Sequence, residues 1–136
     1  MIGKKEIGKF LTLNEETNAI DYLEKAYDFI KKTEYDHWAL KWVILSLYGA
    51  LYGFAINSLR GSDPSNRVIY KIKNGKENLI SFKETIKRCQ NPKWMYMTSL
   101  SKILKLSNKE KESIRRLSEH YRNDFVHYRS WFSPIK

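Results

Sequence analysis

A cation, an amide and an imidazole fall within one short stretch near the end of the chain. Residues 119–128 place Arg122, Asn123 and His127 among aromatic neighbours. A guanidinium can bind a phosphate and stabilise the charge that develops on its oxygens. An imidazole with a pKa near neutrality can take or give a proton. These two groups suffice to cleave RNA, because the ribose 2′-hydroxyl is itself the nucleophile and needs no metal, serine or cysteine.

The neighbouring polar side chains could support these two groups. Asn123 could donate to a phosphate oxygen or orient His127, and Glu119 or Asp124 could hold the imidazole or pair with Arg122. Asn123 and His127 share a helix face at the i, i+4 spacing. Arg122 and His127 lie roughly 140° apart on a regular helix, so they cannot both point straight at one phosphate. A two-fold axis beside this helix would bring two copies of the stretch to one cleft.

The run from Arg122 to His127 resembles the signature of the HEPN superfamily, in which an arginine, a polar residue and three further residues precede a histidine. HEPN domains are small, all-helical and usually dimeric, and many are metal-independent RNA-cleaving toxins or defence nucleases. Arg115 and His120 have the same spacing, but Asn123 follows Arg122 and is a frequent choice in the family. The resemblance implies an endoribonuclease that cleaves RNA through Arg122 and His127 at a symmetric homodimer cleft.

Tyr128 marks a departure from part of that family. Some HEPN toxins have a tyrosine two residues after the histidine, where a partner nucleotidyltransferase antitoxin modifies it. That position is Arg129 here, and Tyr128 directly follows His127. Tyr128 is therefore expected only to support the site, and an antitoxin of a different kind stays open as a partner. Residues 58–64 also look like a subgroup of small bacterial HEPN proteins, so the resemblance covers most of residues 14–132.

Length and composition bound the class of protein. Residues 1–13 are expected to form an N-terminal arm and residues 14–136 one helical domain, because two smaller pieces would have poor cores. A net charge of +10 favours a polyanionic partner such as RNA. Cys89 is the only cysteine, so neither an internal disulfide nor a cysteine-ligated zinc is expected, and no cofactor or metal is implied. No apolar run follows the first basic residues, which favours a cytoplasmic protein.

The first helix is predicted to begin after Asn14, which suits an N-cap. Apolar residues recur along it at helical spacing and predict a stripe that covers the core. The members of this stripe are Ala19, Ile20, Leu23, Ala26, Tyr27 and Ile30. Lys31 and Lys32 place cations near its C-terminus, where they complement the helix dipole.

The second helix has no charged residue from Trp42 to Leu59. That length requires a membrane span to be considered. The other helices carry apolar stripes that need a partner, so we predict instead that residues 36–60 are buried on most sides at the centre of a soluble bundle. Tyr48 and Tyr52 are expected to be core aromatics with hydrogen-bonded hydroxyls.

Caps, breakers and apolar spacing predict the later elements. Asp63 and Pro64 should begin a short helix that includes Val68, Ile69 and Ile72 and breaks at Lys73, Asn74 and Gly75. An amphipathic helix is predicted from Leu79 to Cys89 and another from Pro92 to Leu104. The last helix should begin after the capping box of Ser107 and Glu110, and its apolar stripe consists of Ile114, Leu117, Tyr121, Phe125 and Tyr128. The predicted fold class is all-α, an up-and-down bundle of about four to five helices, HEPN-like.

Two other functions remain open at this point. A non-catalytic HEPN-like module could use Arg122 and His127 to bind nucleotide, RNA or a protein partner. A small membrane protein could be built on the second helix. We also predict a homodimer whose interface includes the last helix, because aromatic residues exceed what one helix face needs and are enriched at interfaces. These aromatic residues are Tyr121, Phe125, Tyr128, Trp131 and Phe132.

Overall fold

The computed structural model of the chain describes residues 14–60, 68–71, 75, 77–95 and 102–128, and most of them are helical. The elements in order are α1 (Glu15–Lys32), α2 (Ala39–Arg60), β1 (Ile69–Lys71), β2 (Glu77–Leu79), α3 (Phe82–Cys89), α4 (Pro92–Met95), α5 (Asn108–Arg115), a π-helical segment (Arg116–Arg122) and α6 (Asn123–Val126). The prediction of a mostly helical, all-α chain is confirmed. The predicted arm, Asp63, Pro64, Trp131 and Phe132 lie outside the described residues.

Helix α1 begins where the sequence predicts. The Asn14 side chain accepts from the Thr17 amide at 2.9 Å, and the Thr17 hydroxyl accepts from the Asn14 amide at 3.1 Å. This reciprocal pair is a capping box, which satisfies amides that have no partner inside the helix. Lys31 and Lys32 occupy the last turn.

Helices α1 and α2 pack through small residues rather than through the predicted apolar stripe. Ala19 and Ala26 are fully buried, and the ring of Tyr22 lies directly on the backbone of α2 at Gly49. A Cβ atom at Gly49 would lie 2.7 Å from the nearest ring carbon. The large members of the stripe flank this close contact and stay about half exposed: Ile20, Leu23, Tyr27 and Ile30. The prediction that the whole stripe covers the core is therefore wrong.

Helix α2 is only partly buried. Its buried residues are Ala39, Val43, Ile44, Ser46, Ala50, Ala55, Ile56 and Leu59. Only 39% of its most apolar 18-residue window is buried, so the prediction of burial on most sides is wrong. By length and composition alone this helix could cross a membrane. Within the described residues it packs against α1, α3 and the π-helical segment.

The main core lies at the C-terminal half of α2. Its buried members are Ala55, Ile56, Leu59, Val68, Ile80, Phe82, Ile86, Cys89 and Met95. The Tyr52 hydroxyl donates to the Ile80 carbonyl, as expected for a core aromatic. The Cys89 thiol donates to the Ala55 carbonyl at 3.4 Å, which joins α3 to α2.

A β-hairpin replaces the short helix predicted around Val68. Strand β1 pairs antiparallel with β2, with Ile69 opposite Leu79. β-branched residues favour strands, and Gly75 has a φ of +82°, which a turn between strands requires and other residues rarely adopt. Leu79 belongs to this hairpin, so the prediction of a helix from residue 79 is wrong as well.

Helices α3 and α4 are shorter than predicted. The Ser81 hydroxyl accepts from the Glu84 amide at 3.1 Å and sets the start of α3 at Phe82. Helix α4 ends at Met95, and Leu104 lies in a non-helical run where its amide donates to the Cys89 carbonyl at 2.9 Å. The predicted helix to Leu104 is therefore wrong over residues 102–104.

The last helix begins at the predicted capping box. The Ser107 hydroxyl accepts from the Glu110 amide at 3.1 Å, and the Glu110 carboxylate accepts from the Ser107 amide at 3.0 Å. The helix widens at Arg116 into the π-helical segment, returns to α geometry at Asn123 and ends at Val126. π segments within α-helices are frequent at functional sites. This one ends at Arg122.

Candidate functional site

Arg122 is held by an aromatic ring and an amide. Its guanidinium carbon lies 4.6 Å from the centroid of the Tyr48 ring, and the same ring stacks on Phe82 at 4.6 Å. Nη1 of Arg122 donates to Oδ1 of Asn123 at 3.0 Å. Arg122 has no carboxylate partner within the part of the chain that the structure describes. Its charge is therefore fixed in place without being neutralised.

Arg122 lines a groove of about 540 Å³ between the last helix and the α1–α2 hairpin. We call it the Arg122 groove. Its lining is rich in aromatic and small residues: Asn18, Tyr22, Trp42, Leu45, Ser46, Tyr48, Gly49, Tyr52, Gly53, Ile56, Leu79, Arg122 and Val126. Burial raises the pKa of Tyr48, and the charge of Arg122 opposes that rise only in part. The groove is thus a largely apolar cleft with one cation in its wall.

His127 does not share this position. It is exposed, it ends α6, and its amide donates to the Asn123 carbonyl at 2.9 Å. It does not line the Arg122 groove. Asn123 bonds to Arg122 through its side chain and to His127 through its backbone. One chain therefore brings Arg122 and Asn123 together but leaves the His127 imidazole outside the Arg122 groove.

The acidic residues of the stretch have other partners. The Glu119 carboxylate accepts from Arg115 at 3.3 Å. The side chain of Asp124 is 7% exposed, and its carboxylate lies 3.3 Å from Nδ1 of His120. Neither contact involves Arg122 or His127. The buried Asp124 carboxylate thus faces His120, one turn earlier on the same helix.

Arg115 and His120 form the rival pair, because they have the same spacing as Arg122 and His127. Arg115 is engaged in ion pairs at the surface. Arg115 donates two hydrogen bonds to Glu112, at 2.6 and 2.8 Å, and one to Glu119 at 3.3 Å. Hydrogen bonding to Glu112, and then to Glu119, raises the pKa of Arg115. A guanidinium already paired with two carboxylates is a poor phosphate ligand, because the phosphate must displace them. Arg122 is therefore the better anion-binding candidate.

Tyr128 is 93% exposed and has a φ of +57°. A bulky residue in this left-handed region is strained, at a cost of about 1–3 kcal/mol. Its amide donates to the Phe125 carbonyl at 3.4 Å. The ring therefore projects into solvent beside His127 rather than into the Arg122 groove.

Sequence reasoning missed the residues that position the arginine. Tyr48 was expected to have a hydrogen-bonded hydroxyl, but its ring contacts Arg122 and the hydroxyl has no hydrogen bond among the described residues. Trp42, Ser46 and Gly49 also line the groove. Their spacing along one face of α2 is the available signal, because residues three and four apart face the same way.

No three His, Cys, Asp or Glu side chains in residues 14–60, 68–71, 75, 77–95 and 102–128 group closely enough to hold a metal ion. No protein-family model matches this chain, and neither a curated protein nor a solved structure is similar to it. Its function is therefore inferred from its own residues.

Proposed function

We propose that the protein is a HEPN-like, metal-independent endoribonuclease in which Arg122 binds the phosphate that is cleaved and His127 transfers a proton. The observation that carries this proposal is the guanidinium of Arg122, fixed at the groove wall by Tyr48 and Asn123 and without a carboxylate partner among the described residues. A net charge of +10 favours the approach of RNA.

The proposed reaction uses the substrate's own nucleophile. The 2′-hydroxyl oxygen attacks the adjacent phosphorus, and the bond from phosphorus to the 5′-oxygen breaks. His127 takes the proton from the 2′-hydroxyl and then gives it to the leaving 5′-oxygen. Arg122 stabilises the charge on the phosphate oxygens. The side-chain oxygen of Asn123 holds Arg122, and its side-chain nitrogen can donate a hydrogen bond to a phosphate oxygen. The products are a 2′,3′-cyclic phosphate and a 5′-hydroxyl, and DNA is spared.

The proposal requires two copies of the chain. Arg122 lines the groove and His127 does not, so one copy lacks an imidazole beside its guanidinium. A two-fold axis beside the last helix would supply His127 from a second copy. The exposure of both His127 and Tyr128 is compatible with a partner at that end of the helix.

RNA cleavage in the presence of a metal chelator tests the proposal. His127→Ala should lower the rate by about 10²–10⁴-fold, because it removes the proton-transfer group. Arg122→Ala should lower it by about 10²–10³-fold, because it removes charge stabilisation. His120→Ala is the matched control, since it breaks the rival pair and should retain activity once its folding is verified by circular dichroism. Full activity of His127→Ala would contradict the mechanism.

A second candidate is a non-catalytic module that binds RNA or a nucleotide. The separation of His127 from the Arg122 groove favours it, because binding needs only the groove and the cation. In that case the wild-type protein binds RNA but leaves it intact. Arg122→Ala then weakens binding, and His127→Ala leaves binding unchanged.

A further inference from the structure

We propose that the Arg122 groove and the aromatic cluster beside it form a binding site for a short run of unpaired nucleotides in single-stranded RNA. The choice of RNA rests on the proposed function, whereas the preference for unpaired bases follows from the side chains. The cluster consists of Phe29, Lys32, Trp38, Lys41 and Trp42, and we call it the Trp42 cluster.

The Trp42 cluster interleaves rings with lysines. The rings of Phe29 and Trp42 stack at 6.1 Å. Nζ of Lys41 lies 4.7 Å from the Trp42 ring centroid and 5.8 Å from that of Trp38, and Nζ of Lys32 lies 5.2 Å from that of Phe29. Trp38 and Trp42 are 65% and 47% exposed, so both offer ring surface to a ligand.

The cluster and the groove are continuous, because Trp42 belongs to both. Trp42 precedes Tyr48 by six residues of α2, which corresponds to about 9 Å along the helix axis. A strand that runs along the groove from the Trp42 cluster would meet Lys32 and Lys41 first and Arg122 last. The path therefore has cations toward both ends and the rings of Trp42 and Tyr48 along it.

This arrangement suits single strands rather than duplexes. Unpaired bases stack on exposed aromatic rings, while flanking cations contact the phosphates. The bases of a duplex are already stacked on one another and cannot reach the rings. Double-stranded RNA should therefore contact only the lysines and Arg122.

Ser46 provides a second, independent observation. It lies on α2 between Trp42 and Gly49, lines the groove and is only 6% exposed. Its hydroxyl has no hydrogen-bond partner among the described residues. Buried polar groups are nearly always hydrogen-bonded in folded proteins. A base edge or ribose hydroxyl in the groove would supply the missing partner.

Fluorescence anisotropy with a 2′-O-methyl oligonucleotide tests binding without cleavage, because the nucleophile is blocked. The single strand should bind at least tenfold more tightly than the same sequence in a duplex. Trp42→Leu should weaken single-strand binding about 5- to 100-fold, the loss of one base-stacking contact. Lys41→Gln should also weaken it. Lys93→Gln is the matched control, since Nζ of Lys93 lies 5.9 Å from the Trp94 ring, outside the groove and the cluster.

The outcomes separate this inference from the proposed function. Unchanged binding by Trp42→Leu, or equal affinity for single strand and duplex, would overturn the inference even if wild-type protein cleaves RNA. Trp42-dependent binding of anionic phospholipid vesicles, with no oligonucleotide binding, would overturn it in favour of a membrane surface. Trp42-dependent binding without cleavage of unmodified RNA would support the inference and contradict the endoribonuclease proposal.

Discussion

At Arg122 the guanidinium contacts the Tyr48 ring instead of a carboxylate. A cation–π contact contributes about 0.5–2 kcal/mol, depending on how far it is desolvated, and leaves the positive charge in place. Arg115 shows the contrast, because Glu112 and Glu119 neutralise its charge. A ring therefore positions an arginine for an anion better than an acid does.

Tyr48→Leu should move Arg122 out of position. We expect RNA affinity to fall about 5- to 30-fold, the equivalent of losing about 1–2 kcal/mol of cation–π interaction. Tyr48→Phe is the matched control, since it keeps the ring and should bind RNA nearly as well as wild type. Titration of each variant with the 2′-O-methyl oligonucleotide measures the difference, and equal affinities for the Leu and Phe variants would contradict the role given to the ring.

Cys89 should be inert in the folded protein. It is 3% exposed, and burial raises the pKa of its thiol to about 11. The reactive thiolate is therefore suppressed at pH 8. Labelling by a thiol reagent should follow the rate of unfolding and become fast only in denaturant; rapid labelling of native protein would contradict this burial.

The raised pKa of Cys89 determines how the stability of the protein changes with pH. A folded pKa above the unfolded value stabilises the fold below the ordinary thiol pKa, and this contribution is lost as the pH rises toward about 11. The stability difference between wild type and Cys89→Ala should therefore shrink above about pH 8.5, the ordinary thiol pKa. Urea unfolding at pH 7 and pH 10 measures it.

At the scale of elements, capping residues predicted where helices begin, whereas contacts between residues distant in sequence determined the β-hairpin and the packing of α1. The N-cap at Asn14 and the capping box at Ser107 and Glu110 depend on residues close in sequence, so the sequence alone reveals them. The β-hairpin depends on pairing between segments around Ile69 and Leu79, which the apolar spacing of either segment cannot show. Helix α1 buries its two alanines rather than its largest residues, because close packing on α2 requires small side chains.

Gly49 allows the close approach of α1 and α2. Gly49→Ala should destabilise the protein by about 1–3 kcal/mol, because the new Cβ would overlap the Tyr22 ring. In a Tyr22→Ala background the same change should cost little or stabilise the helix, since alanine is the better helix former. A double-mutant cycle by thermal unfolding measures the coupling, and additive effects of the two changes would contradict direct contact.

At the scale of the whole molecule, much apolar surface remains exposed in one copy. Helix α2 is only partly covered, and half-exposed side chains run along α1. Caps and apolar spacing predicted a mostly helical chain correctly but could not show which apolar faces meet within one chain. Symmetric pairing at the last helix and a cytoplasmic location stay predictions.

We expect a soluble homodimer at micromolar concentration, measured by light scattering without detergent. Tyr128→Asp should dissociate the dimer, because it places a charge on a fully exposed ring position at the predicted interface. It should also lower RNA cleavage by separating Arg122 from the second copy's His127. Leu23→Asp is the comparison on α1. Dissociation by Leu23→Asp alone would move the interface to α1, and partition of wild-type protein into membranes would contradict solubility.

The wide turn from Arg116 to Arg122 gives the last helix a phase that a uniform α-helix would not have. A π segment holds one residue more than the α-helix needs for the same advance. Deleting one residue between Arg116 and Tyr121 would let the segment close into an α-helix and leave the residues beyond it nearly in their present phase. Arg122 would then keep its contact with the Tyr48 ring. The extra residue thus protects the position of Arg122 against a one-residue deletion, which in a regular α-helix would rotate everything beyond it by about 100°.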